Sequence, residues 1–134
     1  MFIVAEAAYA SEGKLYIHGG ALTNIAPPGF PWMHPQLALV LRLVVVPDDF
    51  ETEHSIHVAL YDDERNEITP SLLVPVLPES MPPMQVNRPM HLNAALTIAN
   101  VTFERPGFYD FVVSVDGVEV GSERLVVHEP RSAD

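Results

Sequence analysis

Apolar and polar residues alternate along most of this chain with a period of two, and helical periodicity is almost absent. Successive side chains of a β-strand point to opposite faces, so this alternation predicts strands with one buried face. Prolines and glycines divide the pattern into short pieces. The predicted strands cover residues 2–9, 14–18 with a continuation at 21–25, 37–46, 54–61, 68–74, 90–98, 108–115 and 118–127.

Turn residues separate these strands at regular intervals. Residues 11–14, Ser-Glu-Gly-Lys, predict a turn in which Gly13 takes a positive φ. Asp116-Gly117 predicts a type I′ hairpin turn, because both central residues of that turn need a positive φ. The apolar phase slips by one residue near Asn100 and again near Gly121, which predicts a bend or bulge at each place.

The strand at residues 37–46, Leu-Ala-Leu-Val-Leu-Arg-Leu-Val-Val-Val, is apolar on both faces. Such a strand needs cover on both sides. The second face includes Ala38, Val40 and Val44, and we expect it to be covered by a preceding loop or by another subunit. Arg42 interrupts this face and needs a carboxylate or carbonyl partner, for which Glu6 is a candidate.

The loop at residues 27–35, Pro-Pro-Gly-Phe-Pro-Trp-Met-His-Pro, contains four prolines and the single tryptophan of the chain. Phe30 and Trp32 would be good binding anchors if exposed, because aromatic side chains bury much area with little loss of entropy. His34 lies beside them. Alternatively, the stiff loop folds back as a plug over the following strand, which is the interpretation we favour.

The strands are mostly joined as hairpins, and this arrangement predicts an all-β protein. We expect a single antiparallel β-sandwich of immunoglobulin-like or jelly-roll type, with seven to eight strands. The domain is predicted to span residues 1–128, followed by a flexible C-terminal tail at residues 129–134.

Composition excludes several classes of partner. The chain of 134 residues is 48% hydrophobic, which indicates a substantial core, and its net charge is −11. This charge disfavours nucleic acid and anionic membranes. Cysteine is absent, which excludes disulfides and thiolate chemistry. Residues 1–11 lack the basic start and long apolar centre of a signal peptide, so we expect a cytoplasmic protein.

Catalytic and metal-binding motifs are not evident. No Gly-x-Ser-x-Gly sequence occurs. His54 and His57, three residues apart on one strand, are expected to face opposite sides, so they do not form a metal pair. We therefore predict a non-enzymatic protein without a metal or another cofactor, although an enzyme of unrecognised type remains an alternative.

Two acidic loops offer a possible cation site. One contains Asp48, Asp49, Glu51 and Glu53, and the other contains Asp62, Asp63, Glu64 and Glu67. Either loop could bind calcium weakly with the help of backbone carbonyls. They flank one strand and hence lie at its opposite ends. We favour acids that simply keep the protein soluble.

Three segments carry a resemblance to a known family. They are Gly-Lys-Leu-Tyr-Ile-His-Gly-Gly at residues 13–20, Phe-Pro-Trp-Met-His-Pro-Gln-Leu-Ala-Leu-Val-Leu-Arg-Leu at residues 30–43, and the C-terminal hairpin that follows Phe-Glu-Arg-Pro-Gly at residues 103–107. With these, most of the chain resembles a family of small uncharacterised bacterial proteins, a domain of unknown function. The resemblance implies an immunoglobulin-like β-sandwich and supplies no catalytic residues.

The residues themselves lead to a first functional hypothesis, which is a protein-interaction or assembly module that forms a symmetric dimer. Its interaction surface is predicted to include Phe30, Trp32, His34, Arg42 and Val44. The alternative is a small-molecule or cation-binding domain that uses the aromatic loop 27–35 or the acidic loops.

Overall fold

The computed structural model describes residues 1–45, 52–68, 72–76 and 90–130. The described residues form ten β-strands and no helix, so the all-β prediction is confirmed, and there are more strands than the seven to eight expected. The strands are β1 (Phe2–Ala5), β2 (Ala7–Ser11), β3 (Lys14–His18), β4 (Asn24–Ile25), β5 (Trp32–Val45), β6 (His54–Tyr61), β7 (Leu72–Val76), β8 (Met90–Phe103), β9 (Gly107–Val115) and β10 (Val118–Val127).

Some predictions lie outside the described residues. They concern Val46, the acids Asp48, Asp49 and Glu51, residues 69–71 of the strand predicted at 68–74, and the tail from residue 131. Within the described part of the chain, no helix is long and apolar enough to cross a membrane.

Three sheets organise the strands. One has three strands in the order β1-β5-β8, a second has five in the order β4-β10-β9-β6-β7, and β2 and β3 form a separate two-stranded sheet. All pairs are antiparallel except the short parallel pair between β10 and β4. Hairpins join β2 to β3 and β9 to β10, as the turn residues predict.

Residues of the three-stranded and five-stranded sheets share one hydrophobic core. Leu39 and Phe103 come from the first sheet, and Phe111 and Leu125 come from the second; all four are fully buried. Burial of a side chain of this size contributes about 1.5–3 kcal/mol. The shared core is therefore the main force that holds the two sheets together.

The predicted first strand, residues 2–9, is two strands in different sheets. β1 pairs with β5, whereas β2 pairs with β3. The break is at Glu6, whose backbone N–H donates to the carbonyls of His18 and Gly19 at 3.1 and 3.2 Å. An exposed glutamate at this point lets the chain leave the sheet and cross its outer face.

The β2–β3 hairpin covers the second face of β5. Ala38 and Val40 have no exposed surface, and Ala8 and Leu15 of the hairpin pack against the cluster they form. The prediction that the loop 27–35 or another subunit covers these residues is therefore wrong. Small side chains on β2 allow the hairpin to approach closely enough to exclude water.

The loop 27–35 packs on the main core instead. Its second half already belongs to β5, and Phe30 and Trp32 contact the core shared by the two large sheets. These two aromatics therefore act as a plug, but they do so at the end of the core rather than on the outer face.

A change of phase in β5 and β8 explains this position. In β8 the core side chains are even-numbered up to Ile98 and odd-numbered from Val101. Asn100 has a φ of 56°, so the predicted bend is confirmed. The register does not shift, since Leu37 pairs with Ile98 and His34 with Val101. Both strands reverse their faces together, which turns Trp32 towards the core.

The backbone also has the predicted turns and the second predicted bulge. Asp116 and Gly117 have φ values of 50° and 83°, and Gly13 has a φ of 75°, as expected. The register of β9 and β10 shifts between Glu119 and Gly121, which confirms a bulge there. β7 continues through Pro75 instead of ending before it. It lies at the edge of its sheet, where proline breaks no ladder on the open side.

Candidate functional site

A cavity of about 560 Å³ opens between the two large sheets, where β5 ends and β6 begins. Binding sites for small molecules have volumes of about 300–1,000 Å³. Both sheets contribute to the wall. The lining includes Met1, Phe2, Leu41, Arg42, Leu43, Val44, Val45, His54, Ile56, Val76, Leu92, Val113, Val115, Asp116, Val120, Gly121, Ser122 and Glu123.

The period-two alternation of the strands makes most of this wall apolar. Leu43 continues the core face of Leu39 and Leu41 on β5, and Val115 continues the core face of Val113 on β9. These side chains extend the core pattern to the end of each strand. Because the sheets leave space there, the last apolar residues border a cavity.

His54 and Asp116 place polar groups at one side of the cavity. His54 begins β6 on the same face as Ile56, and Asp116 lies in the turn between β9 and β10. The Nδ1 atom of His54 and the Oδ2 atom of Asp116 are 2.6 Å apart. The Oδ1 atom of Asp116 accepts the backbone N–H of Ser55 at 3.0 Å. The turn is thereby fastened to the start of β6.

These hydrogen bonds change the acidity of Asp116. The bond from His54 is the largest cause, and the bond from the Ser55 N–H is the next; together they hold the pKa of Asp116 below its usual value. On the other side of the ring, Nε2 of His54 lies 3.0 Å from the hydroxyl oxygen of Thr52. A hydroxyl, an imidazole and a carboxylate therefore follow one another in the order used by hydrolase triads.

Glu123 is a second polar group on the cavity wall. It lies on β10 two residues before the buried Leu125, so its half-buried side chain is on the core face of that strand. Among the described residues it has no hydrogen bond or ion pair through its side chain. A half-buried carboxylate of this kind can accept a hydrogen bond from a bound molecule.

The predicted aromatic site residues lie far from this cavity. Trp32 and Val44 are at opposite ends of β5, and twelve residues of extended chain span about 40 Å. Trp32 donates from Nε1 to Nδ1 of His34 at 3.3 Å. Burial is the main cause that lowers the pKa of His34. Trp32 and His34 thus form one group at the plugged end of the core, and Phe30 packs against the same core.

Arg42 and Val44 form another group, at the edge of the cavity. Both are exposed, and Val44 has 62% of its surface accessible. They alternate with the inward-facing Leu41 and Leu43, so their side chains belong to the outer face of β5. Arg42 makes no ion pair with Glu6, the partner that the sequence suggested. The structure therefore divides the predicted interaction surface between two ends of one strand.

Arg105 partly neutralises the acids of the second acidic loop. Arg105 lies 3.6 Å from Asp62, 2.8 Å from Asp63 and 3.2 Å from Glu64. The Oδ1 atom of Asp62 accepts the backbone N–H groups of Glu64 and Asn66, and the Asn66 bond is the largest cause that lowers its pKa. The described part of the chain contains no group of three or more His, Asp or Glu placed to hold a metal ion.

Sequence reasoning missed His54, Asp116 and Glu123 as members of one site. The alternation of β6 was visible, and extending it by one step from Ile56 places His54 on the inner face. The pairing of His54 with Asp116 requires β9 to lie beside β6, and this neighbour relation is not encoded locally. The bulge before Gly121 changes the alternation of β10, so the pattern before the bulge does not show that Glu123 lies on the inner face.

A family model described as a family of unknown function, DUF6941, matches residues 1–128 of the chain. No curated protein and no solved structure matches the chain.

Proposed function

Since the chain belongs to this family of unknown function, its role has to be inferred from its own site, and we propose that it binds a small, largely apolar molecule between its two large sheets. The proposal rests on the cavity of about 560 Å³, which has apolar walls and a few polar groups. That combination is typical of ligand sites, in which apolar contact supplies affinity and few polar groups supply orientation.

Glu123, among the polar groups on the cavity wall, favours a ligand with an amine or another hydrogen-bond donor at one end. Glu123 offers a carboxylate that no described residue neutralises. Asp116 is already held by His54 and by the Ser55 N–H. The net charge of −11 also attracts cations over a longer range. An aliphatic amine combines an apolar body, which suits the cavity wall, with a positive charge, which suits Glu123.

Calorimetric titration with octylamine, octanol and octanoate tests this proposal. We expect octylamine to bind most tightly, and Glu123→Gln to weaken it about tenfold, because one charge-assisted hydrogen bond is lost. Glu119→Gln is the matched control: it makes the same charge change at an exposed position outside the cavity. Equal weakening by both variants would reduce the effect to general electrostatics and overturn the assignment to Glu123.

A second pair of variants tests the cavity itself. Val115→Phe fills part of the space, whereas Val126→Phe adds the same volume on the outer face of β10, away from the cavity. We expect the first change to abolish binding of all three probes and the second to leave it unaltered. Failure of every probe to bind the wild type would overturn the proposal.

Ester hydrolysis is a second candidate function, because Thr52, His54 and Asp116 follow the order of a catalytic triad. The Thr52 hydroxyl would attack the acyl carbon and pass its proton to His54, which returns it to the departing alcohol; water then releases the acid. Hydrolysis of p-nitrophenyl butyrate that disappears in Thr52→Val would support this candidate. We favour binding without catalysis, since the Asp116 bonds also fasten the turn to β6.

The proposed architecture is a β-sandwich of immunoglobulin-like type. Two observations support it: the core shared by the two large sheets, and the hydrogen bond of 2.6 Å from the Tyr109 hydroxyl to the carbonyl of Arg105. A tyrosine that bonds a few residues upstream at the start of a strand occurs in immunoglobulin-like domains as the tyrosine corner.

A further inference from the structure

β8 is the longest edge of the protein that the described strands leave unpaired. It has 14 residues and lies at one side of the three-stranded sheet, with β5 as its only hydrogen-bonded strand partner among the described residues. The β2–β3 hairpin also contacts β8, where the Asn93 side chain donates to the carbonyl of Gly13 at 2.9 Å, but it forms no ladder with this edge. Every residue of its ladder with β5 keeps one register. An edge of this length presents a row of backbone donors and acceptors that can pair with another chain.

The direction of these backbone groups follows from the first residues of the chain. Met1 and Arg42 exchange both backbone hydrogen bonds, at 3.0 and 2.8 Å, so the backbone groups of Arg42 point towards the β1 side. The direction of the backbone N–H and C=O groups alternates from one residue to the next along a strand. The backbone groups of Leu39 and Leu41 therefore point towards β8. They pair with Leu96 and Ala94.

The residues between those partners point the other way. The N–H and C=O groups of Ala95 and Thr97 therefore face the open edge, where no described strand receives them. The Thr97 side chain is exposed as well. These two residues lie near the middle of β8.

The composition of β8 favours a second copy of this chain as the partner. Residues 90–103 contain no Asp, Glu, Lys, Arg or proline. Natural proteins usually protect an open edge with such residues. The chain as a whole carries −11, and two copies repel each other where their acids meet. Antiparallel pairing of β8 with itself brings uncharged residues together in every register.

We propose that two copies pair along β8 about a two-fold axis, which joins their three-stranded sheets into one continuous six-stranded sheet. The interface is isologous, so each copy uses the same edge and the assembly closes as a dimer. It does not use the face around Ala38 and Val40, which the β2–β3 hairpin covers within one chain.

Light scattering after size-exclusion chromatography of the full chain tests the proposal, with Thr97→Pro and Thr97→Val as a matched pair. We expect a wild-type dimer. Thr97→Pro removes only the N–H that faces the open edge, so it should give a folded monomer, whereas Thr97→Val keeps that N–H and should remain a dimer. A monomeric wild type, or a dimeric Thr97→Pro variant, would overturn the proposal.

Hydrogen exchange provides a second measurement in case the proline variant does not fold. The amides of Ala95 and Thr97 should exchange more slowly as the wild-type concentration rises, because they become bonded only in the dimer. The amides of Ala94 and Leu96, which face β5, serve as the internal control with protection independent of concentration. Equal behaviour of the two sets of amides would contradict edge pairing.

Discussion

His54 and Asp116 are 62 residues apart in the chain, and their side chains meet at 2.6 Å between Nδ1 and Oδ2. This contact connects the start of β6 to the turn between β9 and β10. It also sets one polar side of the cavity. A single ionisable pair therefore links the stability of the fold with the proposed site.

The contact predicts a pH-dependent contribution to stability. The pKa of Asp116 is lower in the folded protein than its ordinary value, which is about 4 for an unfolded chain, so the unfolded state binds more protons as the pH falls. The contribution is present above the ordinary pKa and is lost as the pH falls through the folded pKa. We expect Asp116→Asn to lower the melting temperature at neutral pH, with a difference from wild type that shrinks in acid.

Thermal unfolding followed by circular dichroism at several pH values measures this difference. Glu119→Gln, an exposed carboxylate change on the neighbouring strand, is the control and should follow the wild-type curve. A difference for Asp116→Asn that stays constant from neutral pH into acid would show that the carboxylate charge does not stabilise the fold.

Val40 and Val44 test the cover provided by the β2–β3 hairpin. They lie on the same outer face of β5, but Val40 is fully buried and Val44 is 62% exposed. Val40→Thr should lower the free energy of unfolding by about 1–3 kcal/mol, because a hydroxyl is buried without a partner. Val44→Thr should change it by less than about 0.5 kcal/mol. Urea unfolding measures both, and equal effects would show that the hairpin does not cover Val40.

Tyr109 and Tyr16 form another informative pair. The Tyr109 hydroxyl donates to the Arg105 carbonyl, and burial is the main cause that raises the pKa of this tyrosine, so the donor stays protonated. Tyr109→Phe should cost about 1–3 kcal/mol of unfolding free energy, because a part-buried hydrogen bond is lost.

Tyr16→Phe is the control for that change. Tyr16 is exposed and stacks on Tyr9 through its ring, with centroids 4.7 Å apart, and this stacking survives the substitution. We expect an effect below about 0.5 kcal/mol. If chemical denaturation gave the same loss for both variants, the hydroxyl bond of Tyr109 would have no special structural role.

The sequence predicted what local physics controls. The alternation over residues 54–61 and 118–127 gave the bounds of β6 and β10, because side-chain direction in a strand depends only on the backbone. Asp116-Gly117 predicted its turn, since the residues themselves accept a positive φ. The sequence also predicted the bend at Asn100, because the apolar positions change there from even-numbered to odd-numbered residues.

Only the tertiary structure decided which elements meet. The two apolar faces of residues 37–46 showed that cover was needed, but either a loop, a subunit or a hairpin could supply it; the break at Glu6 directs the hairpin there. The cavity, with His54, Asp116 and Glu123 on its wall, depends on how far apart the ends of two sheets lie. Packing between distant segments sets that distance, whereas a local pattern records only which face of each strand is buried.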